Sequence, residues 1–181
     1  MPGDEVVDAV DEDDRVVGKA TLADCLNEGL LHRTVGVIVS RTNGRVILQR
    51  RSREDLWHPG LWTLSSTGHV KKGESRTKAA RRELLEELGL RGKLVHLSKI
   101  LLPAIRSRGM TEREWVSVYG TQTNAEVKIN PVEVDSVQEF TSQELRRMLS
   151  GHRLTPDARI ILRAYLDGKI PSATAPMKKI R

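Results

Sequence analysis

The chain has 181 residues, 38% of them hydrophobic and 30% charged, with a formal net charge of +6, which is enough apolar material for one well-buried core. Its single cysteine, Cys25, can form no internal disulfide, so a secreted disulfide scaffold is excluded. No apolar run approaches the about 20 residues of a membrane span and the acidic start MPGDEVVDAVDEDD is unlike a signal peptide, so a cytoplasmic protein is expected; scattered basic residues and 3% aromatic content argue against nucleic acid as partner.

Valines in Glu5–Val10 and Arg15–Lys19 flank the polar Asp11-Glu12-Asp13-Asp14, which predicts an opening β-hairpin. Thr21 caps a short helix to about Glu28, and Gly29 stops it. His32–Arg41 is apolar enough on both faces for a central strand, and Asn43-Gly44 turns the chain into Val46–Arg51. Leu61–Thr67 is strand-like. Two later strands, Lys93–Ile105 and Glu114–Thr121, are joined by the turn Ser107–Thr111, and Asp135–Phe140 adds another. Thr141-Ser142-Gln143-Glu144 has the capping-box form and starts a helix to about Leu149; a second runs from Thr155 or Pro156 to Leu166. The order of elements predicts an α/β (α+β) domain over residues 1–167, with the hairpin and short helix in 1–29, the core in 30–167, and a disordered basic tail over 168–181.

Between Gly68 and Leu90 the sequence concentrates acid where a helix should run. Ser75 caps it, good helix formers continue to Leu88, and Gly89 stands where helices commonly stop. Glu83, Glu86 and Glu87 fall at i, i+3 and i+4, so their carboxylates share one narrow face while Leu84, Leu85 and Leu88 point elsewhere. Like charges at that spacing repel. A solvated face balanced by Arg76, Lys78, Arg81 and Arg82 is one explanation, and a bound divalent cation, which reverses the sign of the interaction, is the other.

Gly68, Glu74, Arg82, Glu83, Leu84, Glu86, Glu87, Gly89 and Leu90 stand in the order G-x5-E-x7-R-E-U-x-E-E-x-G-U, with U aliphatic. By average residue usage, a chance match anywhere in the chain is on the order of 10⁻⁷. On these residues the chain resembles the Nudix family. The resemblance implies an α/β/α sandwich around a mixed sheet and a Mg²⁺-dependent reaction, with Mn²⁺ as an alternative. It implies that Glu87 is the principal metal ligand, that Glu83 and Glu86 assist, and that one glutamate activates water; Glu83, Glu112, Glu114 and Glu133 all remain candidates. The Gly68 carbonyl could add a ligand, and Arg82, four residues before Glu86, could orient a carboxylate through its forked donors. Glu74 stands at the helix start, where the dipole favours a negative charge whatever its function. Arg50, Arg51, Arg53, Lys71 and Lys72 flank the motif and supply the cations that substrate phosphates require. Trp57, Trp62 and Trp115 are candidates for stacking on a base, with burial as the default for each.

The flanks are more particular. Leu30-Leu31-His32-Arg33, Pro59-Gly60-Leu61-Trp62 and Gly68-His69 resemble the isopentenyl diphosphate isomerase branch. That branch implies a metal site matched here by His32, His69, Glu112 and Glu114, with Cys25 where a further histidine is expected and Asp157 where an aromatic residue is expected. It also implies a proton-moving cysteine just before the Gly-His pair, and that position is Thr67, whose hydroxyl has no comparable acidity. The isomerases generally degrade the motif that this chain keeps. The combination resembles the isomerase-like Nudix hydrolases, so a Mg²⁺-dependent pyrophosphohydrolase is expected. It would act on a small-molecule nucleoside diphosphate derivative (a nucleoside di- or triphosphate, nucleotide sugar or dinucleotide) and release a nucleoside monophosphate. Isopentenyl diphosphate isomerase and a catalytically silent nucleotide- or RNA-binding module are the alternatives. Oligomeric state is open, a dimer being compatible with the sequence.

Overall fold

A computed structural model describes residues 2–55 and 57–173. The β-branched run Leu31–Ser40 forms β3, the strand on which the sheet is built. Its preceding strands, β1 (Val6–Val10) and β2 (Val16–Thr21), make the opening hairpin, and α1 (Leu22–Glu28) follows with a Thr21–Asp24 capping box and a left-handed Gly29 at φ 67°. One edge of β3 pairs in parallel with β9 (Met110–Gln122), from Leu31–Arg113 to Ser40–Gln122.

The other edge of β3 is served by three strands in turn: β1 at Ala9–His32, β6 (Ser66–His69) from Thr34–His69 to Val37–Ser66, and β4 (Val46–Arg51) at Val39–Ile47 and Ser40–Val46. Beyond β4 lies β10 (Val134–Phe140), and beyond β9 lies β7 (Val95–Leu101). Helix α2 (Arg76–Leu88) covers one face, packing Ala80, Leu84 and Leu88 with Val35, Val37 and Val39. Helices α3 (Ser142–Met148) and α4 (Pro156–Leu166) cover the other, where Leu145, Ile161 and Leu162 meet Ile38, Leu48, Leu64 and Val118. The fold is thus α+β, a mixed sheet between helices. Among the described residues no helix is long and apolar enough to cross a membrane.

Three expectations are corrected. The stretch Leu61–Thr67 does not make one strand but β5 (Trp62–Thr63), which pairs with β4, and β6, which pairs with β3. At the break the buried Ser65 hydroxyl accepts from Val39 N–H and donates to the Ile47 carbonyl, standing in for ladder bonds where β3 and β4 part. The stretch Lys93–Ile105 stops at Leu101, and β8 (Ile105–Ser107) begins after Pro103, which lacks a ladder donor. A tight turn with Arg108 at φ 52° and Gly109 at φ 80° joins β8 to β9, so Glu112 lies on a strand instead of just after a loop. Order also continues past Asp167: Lys169 and Ile170 N–H donate to the Ala164 carbonyl, and Ile170 is buried in the core. Of the expected tail, residues 174–181 lie outside the described residues.

Candidate active site

Helix α2 buries two acids. Glu83 and Glu87 are 7% and 6% exposed, and Glu86 is exposed on the cavity that all three line. Ser75 accepts from Lys78 N–H at the start of the helix, and Gly89 ends it at φ 65°. The close approach of α2 to β6 depends on Gly68, where an added Cβ would lie 2.1 Å from Glu83 Cδ.

Arg82 ties this face together. Its Nη1 donates to Glu83 Oε1 (2.6 Å) and Glu86 Oε2 (3.1 Å), and its Nη2 donates to the His69 carbonyl (2.9 Å) and Glu74 Oε2 (3.0 Å). Arg82 Nε completes a two-pronged grip on Glu74 (3.2 Å), so Glu74 anchors the arginine instead of serving only the helix dipole. Glu87 is held at both oxygens, by Gln49 Nε2 at 2.9 Å and Thr67 N–H at 3.0 Å. Burial, with each buried acid against its neighbours, pushes Glu83 up to about 8; burial likewise pushes Glu87 up to about 7.

A second cluster lies on the sheet. Period-two alternation puts His32 and Thr34 of β3, and Glu112 and Glu114 of β9, on one side, and register sets His32 beside Glu114 and Thr34 beside His69. Donor atoms of His32, His69 and Glu114 lie within 4.8 Å of one another. His32 Nδ1 donates to the Leu30 carbonyl (3.0 Å), so its Nε2 carries a lone pair. That nitrogen lies 3.9 Å from Glu114 Oε1, buried and without a hydrogen bond among the described residues. Burial holds His32 low and, with His32 beside it, takes His69 down to about 3; burial raises Glu112 to about 7 and Glu114 well above the carboxylate range.

Glu112 is not one of the trio; it accepts from Trp57 Nε1 and shares a side-chain hydrogen bond with Glu114. Cys25 stands outside it too, a buried thiol pushed up to about 11, so the expected five-membered set gathers only in part. Both clusters open on one cavity of about 740 Å³. The strand β6 separates them: Thr67 N–H and the Gly68 backbone face α2, while the His69 ring stacks on His32 at 5.4 Å.

Of the flanking cations, Arg51 and Lys71 line the cavity. Arg50 does not; as the neighbour of Arg51 on a strand it points the other way, 3.1 Å from Asp135. Arg53 and Lys72 are exposed in turns and also lie off its wall. Arg51 is itself anchored, donating to the Trp57 carbonyl (2.8 Å) and Asp55 (2.6 Å). Glu133 reaches the rim, where Asn130 Nδ2 donates to it. Trp57 lines the cavity, Trp62 packs edge-on to Phe140 in the core, and Trp115 lies under Lys99. Gln49 and Glu5 also line the cavity, and sequence reasoning assigned neither a role. For Gln49 the available signal was a polar side chain after three apolar residues of a central strand.

Both clusters fit divalent cations. The first offers oxygen ligands and a glycine that lets a backbone approach; the second offers a buried, unpartnered imidazole lone pair beside a carboxylate.

The NUDIX domain profile matches residues 30–164. The chain belongs to the Nudix family, and it falls on the isopentenyl-diphosphate-isomerase-like branch. It is 33% identical to isopentenyl-diphosphate Delta-isomerase 2 of Photorhabdus laumondii over 147 residues, covering 81% of this chain and 83% of that one. It is 34% identical to an uncharacterized Nudix hydrolase of Streptomyces coelicolor over 154 residues, covering 85% and 84%. Among solved structures, protein DR0079 of Deinococcus radiodurans superposes with a TM-score of 0.75 at 24% identity, covering 88% of this chain and 98% of that one, a likeness of fold.

Proposed function

We propose that this protein is a Mg²⁺-dependent hydrolase, with Mn²⁺ as an alternative cation, that cleaves the diphosphate linkage of a nucleoside diphosphate derivative and releases a nucleoside monophosphate. The observation that carries this reading is the intact acidic face of α2, with Arg82 holding Glu83 and Glu86 and with Glu87 held at both oxygens. Glu83, Glu86 and Glu87, with the Gly68 carbonyl, would hold the cation, which when bound neutralises phosphoryl charge and lowers the pKa of water.

The chain's own groups do the rest. Arg51 and Lys71 bind phosphate oxygens, and Asp55 and the Trp57 carbonyl keep the guanidinium aimed. Arg82, fixed by Glu74, orients the acids. Glu83, Glu112, Glu114 and Glu133 all line the cavity as acceptors for the attacking water's proton.

A specific observation favours a second reading, the isomerase: His32, His69 and Glu114 gather as a metal site would, and relatives at 31–33% identity are named isopentenyl-diphosphate Delta-isomerases. Thr67 opposes it, because a threonine hydroxyl neither supplies nor regains a proton near neutral pH as a thiol does. Incubating the protein and Mg²⁺ with nucleoside diphosphates and triphosphates, nucleotide sugars, dinucleotides and isopentenyl diphosphate separates the two. Release of a nucleoside monophosphate supports hydrolysis. Conversion of isopentenyl to dimethylallyl diphosphate with no nucleotide cleaved overturns it.

A further inference from the structure

Strand β4 runs Val46-Ile47-Leu48-Gln49 before its two arginines, and Gln49 is as buried as its apolar neighbours, at 2% exposure. A methionine or leucine would fill that volume without a polar group to satisfy. The amide has been given one partner and not the other. Its Nε2 donates to Glu87 Oε1 at 2.9 Å, the orientation an ionised, cation-binding Glu87 requires because a carboxylate oxygen can only accept. Its Oε1 is buried and has no hydrogen-bond partner among the described residues, yet Gln49 lines the cavity. An acceptor left open in this way costs stability unless something arrives to donate to it.

We infer that Gln49 is the positioning residue of the α2 cation site: its Nε2 fixes Glu87 for coordination, and its Oε1 accepts from a donor that arrives with the cation. Hard divalent cations usually keep several of their waters, and those waters are donors. The role rests on the function proposed above in one respect, that Glu87 binds a cation. The geometry supports it from both ends of Glu87: Thr67 N–H fixes Oε2 from the backbone of β6, and Gln49 Nε2 fixes Oε1 from β4. Partners of this kind typically change metal affinity by about 10- to 100-fold when removed.

The test reads binding, without substrate. Mn²⁺ is titrated calorimetrically into wild type, Gln49→Met and Glu87→Gln, the last identifying which part of the isotherm belongs to this site. Gln49→Met is expected to weaken that component by about 10- to 100-fold and to move the half-saturating metal concentration for activity further than it moves kcat at saturating metal. A folded Gln49→Met with Mn²⁺ affinity within about twofold of wild type overturns the role. If the variant does not fold, wild-type protein labelled with ¹⁵N at glutamine answers instead. The Gln49 side-chain amide resonances should shift on saturation with Mg²⁺, and resonances that stay in place overturn the role. A wild-type protein that binds Mn²⁺ through Glu87 but cleaves no nucleotide would remove the proposed reaction and leave Gln49 standing.

Discussion

Replacing Gly68 by alanine would put a methyl carbon 2.1 Å from Glu83 Cδ and Oε1 and 2.6 Å from its Cγ. Non-bonded carbons rest at about 3.5 Å, so the Glu83 carboxyl would have to retreat by roughly 1.4 Å. It cannot do so freely, because Arg82 Nη1 holds Oε1 at 2.6 Å and the side chain is buried. Backbone strain plays no part, since Gly68 is absent from the positive-φ glycines. Overpacking of this kind costs about 1–3 kcal/mol, and a misplacement of roughly 1 Å in a catalytic group costs about 10²-fold in rate. Gly68→Ala should therefore melt earlier and hydrolyse nucleotide about 100-fold more slowly at saturating Mg²⁺. The variant carrying both Gly68→Ala and Glu83→Ala separates the effects: with the acid truncated the clash is gone, so its stability should match Glu83→Ala alone. A Gly68→Ala enzyme turning over at the wild-type rate would refute the packing of Glu83 on β6.

Two further outcomes follow from burial. Glu83, Glu87 and Glu112 hold their protons to about pH 8, 7 and 7, against a reference of 4.5. His69 falls from 6.5 to about 3, so below 6.5 the unfolded chain gains protons at histidine while the folded chain keeps them at the acids, and the two effects oppose. Above pH 6.5 the histidine effect fades and the acids prevail: the folded state binds more protons, and its stability is lost as pH rises towards 8. Urea unfolding in EDTA should show this decline and Mg²⁺ should reduce it; stability that climbs from pH 6.5 to 8 in EDTA would contradict the burial of these carboxylates. At the C-terminal end, truncation after Asp167 removes the buried Ile170 and should cost about 1.5–3 kcal/mol, measured by thermal melting. A melting temperature unchanged by this truncation would show that Ile170 does not hold the core.

What could be read from the sequence was local. Ser75, the run of helix formers and Gly89 delimit α2 without reference to the rest of the chain, and i, i+3, i+4 spacing puts Glu83, Glu86 and Glu87 on one turn. Caps at Thr21 and Thr141 act through residues three positions away, and both α1 and α3 start where those caps put them. What could not be read was set by register between distant strands. That His32 lies beside Glu114 and not Glu112 depends on the register of β3 against β9, where a slip of two residues would exchange them. Arg50 and Arg51 are equivalent in sequence and opposite in direction once β4 is built. The Ser65 bridge and the burial of Ile170 likewise depend on gaps that exist only after the sheet and α4 have formed. Gln49 is a polar side chain in an apolar strand, and only Glu87 opposite it gives that position a meaning.

We propose that this cavity adds water to a phosphoanhydride and does not move a proton on a hydrocarbon. The most direct measurement is mass spectrometry of the products after reaction with Mg²⁺ in isotopically labelled water. In H₂¹⁸O, one phosphate-bearing product of a cleaved nucleotide should carry a single ¹⁸O with wild-type protein, and Glu87→Gln should suppress that product by orders of magnitude. Deuterium entering isopentenyl diphosphate from D₂O, with no ¹⁸O entering any nucleotide product, would contradict the account.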